Sequence, residues 1–181
     1  LSLLGYAELE SLAAKETSPG IFEVLAGLAG AGGALDLSVK ARTTGPLEAS
    51  LGLRRGTSLS LERLPLPGSK LRGAVTDLGF RFTGDPAKPA GWDLSGELVA
   101  SKTGWDQSTV DSLLLVIQDR QLTLETARGR ATAKVDASFP LDGAATIADL
   151  ARIPVRANLS AEVPSLAETT AKFNGQRFDK D

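Results

Sequence analysis

The sequence contains no cysteine, no histidine and no methionine, and only 5% of its 181 residues are aromatic. Without cysteine there is no disulfide and no thiolate nucleophile, and without histidine there is no imidazole base. The usual zinc-binding sets are excluded for the same reason. Most familiar catalytic arrangements are therefore impossible, and we expect the protein not to be an enzyme and to use no metal or cofactor.

An excess of charge of one sign is also lacking, since 20 Lys and Arg residues are balanced by 22 Asp and Glu residues. The charges are interspersed and form no basic stripe, so we expect no nucleic-acid partner. No apolar run reaches the ~18 residues that a membrane-spanning helix needs. The chain opens at Leu1 without a methionine, and we expect it to be a segment of a longer protein whose anchor or export signal lies upstream.

What the sequence does contain is an alternation of apolar and polar side chains with a period of two residues. In residues 34–42, for example, Leu35, Leu37 and Val39 alternate with polar side chains. On a pleated strand this alternation places the two sets on opposite faces of a sheet. Similar segments recur between Gly, Pro and Asp turns and predict about nine or ten strands. A barrel, a sandwich or a solenoid would each fit this pattern.

Two segments near the N-terminus have helical spacing instead. In residues 7–15, Leu9 and Leu12 are three positions apart, and residues 19–29 follow Ser18 as an N-cap with proline at the first helical position. The sequence therefore predicts two short helices here.

We divide the chain into three parts on these patterns. Residues 1–33 are expected to form a strand end plus short helices that close a preceding repeat, and residues 34–168 a grooved β-sheet repeat unit. Residues 169–181 are expected to be a tail or the start of the next unit. A capping box predicts a third short helix that begins near residue 166.

An apolar sheet face must be covered by a second sheet, a helix or a ligand. A self-covering sandwich usually contains a large aromatic anchor, whereas the apolar residues here are mostly small and aliphatic. An open aliphatic groove would suit acyl chains, because shielding one methylene from water is worth ~0.8 kcal/mol. The candidate groove-lining residues are Leu35, Leu37, Val39, Leu47, Leu51, Leu53, Val75, Phe80, Phe82, Leu94, Leu98, Leu114, Val116, Val135, Val155 and Leu159.

A succession of short motifs resembles a known family. The motifs are, in order, residues 34–41, Gly45-Pro46 with the strand that follows to Gly56, Leu64-Pro65-Leu66-Pro67, Leu71-Arg72-Gly73, and residues 153–167. Over most of residues 34–168 this order resembles the translocation and assembly module TamB family, within the AsmA-like group. The family's usual aspartate-glycine hairpin is replaced here by Asp119-Arg120.

The resemblance implies an all-β fold, an elongated and curved antiparallel or mixed β-sheet (a β-taco or solenoid-like groove), which we expect to carry two or three short helices. It implies a parent protein anchored in the inner membrane that crosses the periplasm of a two-membrane bacterium. Family members are associated with phospholipid transport between the inner and outer membranes and with outer-membrane protein assembly beside a BamA/TamA-type barrel. The implied partners are phospholipid acyl chains and, through the parent protein, that barrel.

An alternative from a different class is a closed β-sandwich or repeat module with a structural or adhesive role and no lipid ligand. The two interpretations differ in whether protein covers the aliphatic face. An isolated segment would also have two cut strand edges, through which we expect it to be able to form a homodimer.

Overall fold

The computed structural model describes residues 2–3, 7–43, 45–63, 70–105, 108–144 and 146–163. These residues form one 13-stranded sheet in which the paired strands are antiparallel. Within them, helix is confined to short 3-10 segments at Leu61–Arg63, Pro89–Gly91, Leu141–Gly143 and Ile147–Arg152. The predicted class, an all-β protein built on a curved open sheet, is confirmed.

The strands follow one another along the chain with short connections. They are β1 (Ser2–Leu3), β2 (Ala7–Ser18), β3 (Ile21–Gly30), β4 (Gly33–Arg42), β5 (Leu47–Leu53), β6 (Leu59–Ser60), β7 (Leu71–Gly84), β8 (Asp93–Trp105), β9 (Ser108–Thr109), β10 (Ser112–Gln118), β11 (Gln121–Arg128), β12 (Ala131–Ser138) and β13 (Arg156–Glu162).

The topology is an up-and-down meander. The main path runs β1-β2-β3-β4-β5-β7-β8-β10-β11-β12-β13, with β6 paired to β7 and β9 paired to β8. Several connections are two-residue turns, and that between β10 and β11 places Asp119 and Arg120 at φ 50° and 62°. Positive φ at both positions matches the twist of a hairpin, which is why such a tight turn joins these strands. No described strand joins β1 to β13, so the sheet is not closed.

Because neighbouring strands alternate in direction, their ends form two rims. We call the rim that contains Gly84 and Asp93 the Trp92 rim, and the opposite rim, which contains Leu53 and β6, the Leu59 rim. Bulges interrupt the register between β2 and β3 at Leu9/Ser11 and Glu16/Ser18, and that between β7 and β8 at Arg72/Ala74 and Val75/Asp77. The extra residue is on β8 at Arg72/Ala74, and on β2 or β7 at the other three positions. Bulges of this kind bend their strand, which curves the sheet between the rims.

The two helices predicted within residues 1–33 are wrong, because these residues form β2 and β3 of the same sheet. The bulge after Leu9 inserts one residue, so Leu9 and Leu12 lie on one face although they are three apart. A bulged strand thus imitates helical spacing. Pro19-Gly20 is the hairpin turn that joins the two strands, with Gly20 at φ 74°. The helix predicted near residue 166 and residues 169–181 lie outside the described residues.

Candidate functional site

The strand register places the apolar side chains of successive strands on one face of the sheet. Leu37 of β4 lies opposite Leu51 of β5, and Leu51 lies opposite Phe80 of β7. Partners in an antiparallel sheet project to the same side, so these side chains form one continuous row. We call this side of the sheet the apolar face. The predicted lining residues that lie on it are Leu35, Leu37, Val39, Leu47, Leu51, Leu53, Val75, Phe80, Phe82, Leu94, Leu98, Val135 and Leu159.

Three of the predicted lining residues lie elsewhere. Leu114 pairs with Val99 and Glu125, and Val116 pairs with Glu97 and Thr123, so both side chains project to the opposite, polar face. The segment is apolar on both parities, and its neighbours place Leu113, Leu115 and Ile117 on the apolar face instead. Val155 precedes β13 and belongs to none of the described strands.

Part of the apolar face lies on strands that the spacing of apolar residues did not predict. Leu12, Ala26 and Leu37 form one cross-strand row, so β2 and β3 extend the face beyond residue 34. The alternation of Val24, Ala26 and Leu28 is the signal that could have identified β3 as a strand. At the other end of the sheet, Leu122 and Leu124 of β11 continue the face toward β12.

In the described part of the chain, no second protein layer covers most of the apolar face. Among the described residues, the buried hydrophobic side chains are Ala34, Leu59, Val75, Ala100 and Ala144. On the apolar face Leu94 is 40% exposed, Phe22 46% and Leu159 75%. These three residues lie at a rim or on an outer strand, but Leu37 and Leu51 in the middle of the face are also only half-buried. In a closed sandwich, residues at such central positions would contact a facing sheet and be almost fully buried. The described residues therefore present a large one-sided apolar surface.

One end of the apolar face is closed. Leu59 of β6 packs against Val75 of β7 and Ala100 of β8, and these three side chains are 7%, 3% and 1% exposed. Half-buried neighbours such as Leu78 and Leu98 contact this group. This cluster, which we call the Leu59 cluster, is the part of the described chain in which side chains from several strands pack as a core.

At the Trp92 rim the loops are held by hydrogen bonds, an ion pair and one aromatic contact, and not by a buried core. The Trp92 indole Nε1 donates a 2.7 Å hydrogen bond to the carbonyl oxygen of Asp85, and its ring meets Phe82 edge-on with the centroids 5.5 Å apart. Nearby, Arg120 donates to the carbonyl oxygen of Ala90 over 2.8 Å and pairs with Asp142. These contacts fix the loops that border the apolar face at this rim.

Replacing Trp92 tests this rim. Trp92→Ala is expected to lower the free energy of unfolding by about 2 kcal/mol, because a half-buried ring and one hydrogen bond are lost. Trp92→Phe keeps the ring contact and should lose only about 1 kcal/mol. Urea unfolding followed by circular dichroism measures both values, and equal losses for the two variants would contradict the assigned ring contact.

The polar face has its own organisation. Arg54 donates to Asp36 through Nε and Nη2, at 3.1 and 2.8 Å, and to Glu10 through Nη1 at 2.8 Å. The hydrogen bond with Asp36, followed by that with Glu10, raises the pKa of the Arg54 guanidinium above its ordinary value, so the side chain stays charged. This charged side chain links β2 to β4 and passes over Gly27, where a Cβ would lie 2.8 Å from Nη2.

A concavity of about 840 Å³ lies on the same polar face, between β4 and β10. Its lining includes the carboxylates of Asp36, Asp77, Asp93 and Glu97, and the guanidinium of Arg81. Among the described residues, no group of three or more acidic side chains is arranged to hold a metal ion.

The described residues contain no helix with the length and hydrophobicity of a membrane span.

The fold and the two faces define an open antiparallel β-sheet protein that is apolar on one side and polar on the other. Comparisons of the chain with protein-family models, curated proteins and solved structures found no match. The resemblance to the TamB family therefore rests on the motifs quoted above.

Proposed function

We propose that the apolar face binds and shields phospholipid acyl chains, as one segment of a TamB-like protein that transports phospholipid between the inner and outer membranes. Assistance to outer-membrane protein assembly beside a BamA/TamA-type barrel is the related role that the same resemblance suggests. In this proposal the parent protein is anchored in the inner membrane, and the segment lies in the periplasm. The observation that carries the proposal is the continuous apolar face that no described second layer covers.

The dimensions of the face support this proposal. The main path has 11 strands, and neighbouring strands are spaced about 4.8 Å apart, so the face extends roughly 48 Å across the strands. One leaflet of a bilayer contributes about 15 Å of hydrocarbon, half of the ~30 Å core. The apolar face is therefore long enough to hold an acyl chain and to let it move from strand to strand.

The chemistry of the face also supports it. The row formed by Leu37, Leu51 and Phe80 is apolar throughout, so an acyl chain on it would meet no polar group that must lose its water. Each covered methylene contributes ~0.8 kcal/mol, and about ten covered methylenes would contribute ~8 kcal/mol. Such binding needs no specific polar contact, which suits transport of chains that differ in length.

The structural or adhesive alternative requires that protein cover the apolar face. Leu94 lies on an interior strand near the Trp92 rim and is 40% exposed, which is what the lipid-binding proposal expects and what a closed sandwich would avoid. Whether the purified chain retains phospholipid distinguishes these two functions.

The test is native mass spectrometry, with lipid extraction, of the purified chain after export to the periplasm of a two-membrane bacterium. The wild-type chain should retain phospholipid, and Leu94→Asp should lose most of it, because a carboxylate on the apolar face would be desolvated by an acyl chain. The matched control is Leu25→Asp. Leu25 is 41% exposed, close to the 40% of Leu94, but it pairs with Ala13 and Ser38 on the polar face.

Leu25→Asp should retain lipid like the wild-type chain. Wild-type protein that is folded but free of lipid would overturn the proposal and favour the structural role. Equal loss of lipid from both variants would show that the retained lipid does not lie on the apolar face.

A further inference from the structure

The last described strand of the sheet, β13, has an outer edge without the protections that edge strands usually have. All seven residues of β13 are exposed, and its register with β12 runs without a bulge. In an antiparallel pair, every second residue directs its backbone N–H and C=O away from the partner strand. No described strand pairs with these outward groups of β13, which also contains no proline and no lysine.

The opposite edge of the sheet is different. There the two-residue strand β1 covers only the start of β2, and the rest of β2 forms the edge. β2 has two bulges, and its Glu16 pairs with Phe22 and therefore places a charge on the apolar face. Bulges and inward-pointing charges are devices that prevent a further strand from joining an edge. Of these two edges, β13 is the one suited to accept another strand.

The sequence of this segment is complementary to itself. Residues 154–164 read Pro-Val-Arg-Ala-Asn-Leu-Ser-Ala-Glu-Val-Pro, with Leu159 at the centre. Placed antiparallel to a second copy about that centre, the opposite pairs are Pro154 with Pro164, Val155 with Val163, Arg156 with Glu162, Ala157 with Ala161, Asn158 with Ser160, and Leu159 with its own copy. Each pair consists of two apolar residues or of two polar residues, and in the charged pair the two side chains carry opposite charges.

We propose that two copies of this chain associate through β13, antiparallel and in register about Leu159, to form a twofold-symmetric dimer with one continuous sheet. Leu159, Ala157 and Ala161 lie on the apolar face, since they pair with Val135, Ala137 and Ala133 of β12. The symmetry axis therefore joins the apolar faces of the two copies side by side. By symmetry the interface contains the Arg156–Glu162 pair twice.

The first test uses the absence of cysteine in the chain. In the proposed register the two Leu159 positions are directly opposite, at about 4.5–5.5 Å between Cα atoms, which a disulfide can bridge. Leu159→Cys should therefore form a covalent dimer on mild oxidation. Ala157→Cys is the matched control, because its two copies would lie about 14 Å apart along the strands and should stay uncrosslinked.

The second test exchanges the charges. Arg156→Glu and Glu162→Arg should each weaken dimerisation at least about tenfold, because each change turns two attractive cross-strand pairs into two repulsive ones. The double variant with both changes restores opposite charges and should return the dimerisation constant to within about threefold of wild type. Sedimentation velocity over a range of protein concentrations measures these constants.

Either of two results would overturn the proposal. One is a wild-type chain that stays monomeric at the highest soluble concentration, with no crosslink in Leu159→Cys, as expected if another part of the chain covers β13. The other is a dimer that crosslinks equally through Leu159→Cys and Ala157→Cys, or that is not rescued by the double charge exchange.

Discussion

Val75→Asp is expected to lower the free energy of unfolding by at least about 4 kcal/mol. Val75 is 3% exposed and lies at the centre of the Leu59 cluster, between Leu59 and Ala100. Loss of a buried valine removes about 1.5–3 kcal/mol, and an unpaired carboxylate in its place adds a desolvation penalty of several kcal/mol unless it takes up a proton. Chemical denaturation followed by circular dichroism would measure this loss.

The Val75→Asp variant should also become more stable as the pH falls. Burial would raise the pKa of the new carboxyl above its unfolded value of about 3.9, so the folded state would bind a proton more readily than the unfolded state. Protonation then stabilises the folded variant at low pH, and this stabilisation is lost as the pH rises through the raised pKa. Comparison with the wild-type pH profile isolates this contribution from the titration of the other carboxylates.

Leu94→Asp is the control for the same face. Its side chain is 40% exposed, so the new carboxylate can keep much of its water, and the expected loss of stability is only about 1 kcal/mol. A loss as large as that of Val75→Asp would mean that the apolar face is covered at Leu94. The small expected loss is also what makes Leu94→Asp suitable for the lipid experiment, since that variant should remain folded.

The position of most apolar-face residues could be predicted because side-chain alternation is a local property. Leu35, Leu37 and Val39 share a face in any extended strand, whatever strand lies beside it. Antiparallel pairing then keeps apolar residues opposite apolar residues, because a slip of one residue would turn a whole strand over. The register of Leu37 with Leu51 is the result of that constraint.

The prediction failed where local sequence does not decide the face. Residues 112–118 are apolar at both parities in their interior, and the predicted face of Leu114 is wrong because only its neighbours Val99 and Glu125 determine its side. In β2 the inserted bulge residue changes the parity between Leu9 and Leu12. Both errors depend on pairing between strands, which the spacing within one strand does not contain.

The concavity on the polar face could not be predicted at all. Asp36, Asp77 and Asp93 are far apart in the sequence and line one concavity because β4, β5, β7 and β8 are consecutive strands of a bent, twisted sheet. For the self-complementary segment around Leu159 the sequence is more informative, because its pairing pattern can be read from the residues alone. The sequence does not show, however, that β13 is the last strand on its side of the described sheet.

Gly96→Ala is expected to lower the free energy of unfolding by about 3 kcal/mol or more, through steric overlap at the centre of the sheet. Gly96 of β8 lies opposite Phe80 of β7, and the Phe80 ring occupies the space above it on the apolar face. A Cβ on residue 96 would overlap the carbonyl oxygen of Gly79 and come within 2.5 Å of Phe80 Cδ1. Forcing a methyl group into this contact would separate β7 from β8 or displace the ring. Severe overpacking of this kind costs about 3 kcal/mol or more.

Gly79→Ala is the matched control for this substitution. Gly79 belongs to the same pair of strands, β7 and β8, but a Cβ at this position would project to the polar face. That Cβ would have no atom within 4 Å. We therefore expect Gly79→Ala to change stability by less than about 1 kcal/mol, while Gly96→Ala lowers the Tm by roughly 10 °C. Equal Tm values for the two variants would contradict the close approach of the Gly79 carbonyl oxygen and of Phe80 to Gly96. A loss confined to Gly96→Ala supports the close pairing of β7 with β8 at this position, because the Gly79 carbonyl oxygen and the Phe80 ring together occupy the space that a methyl group needs.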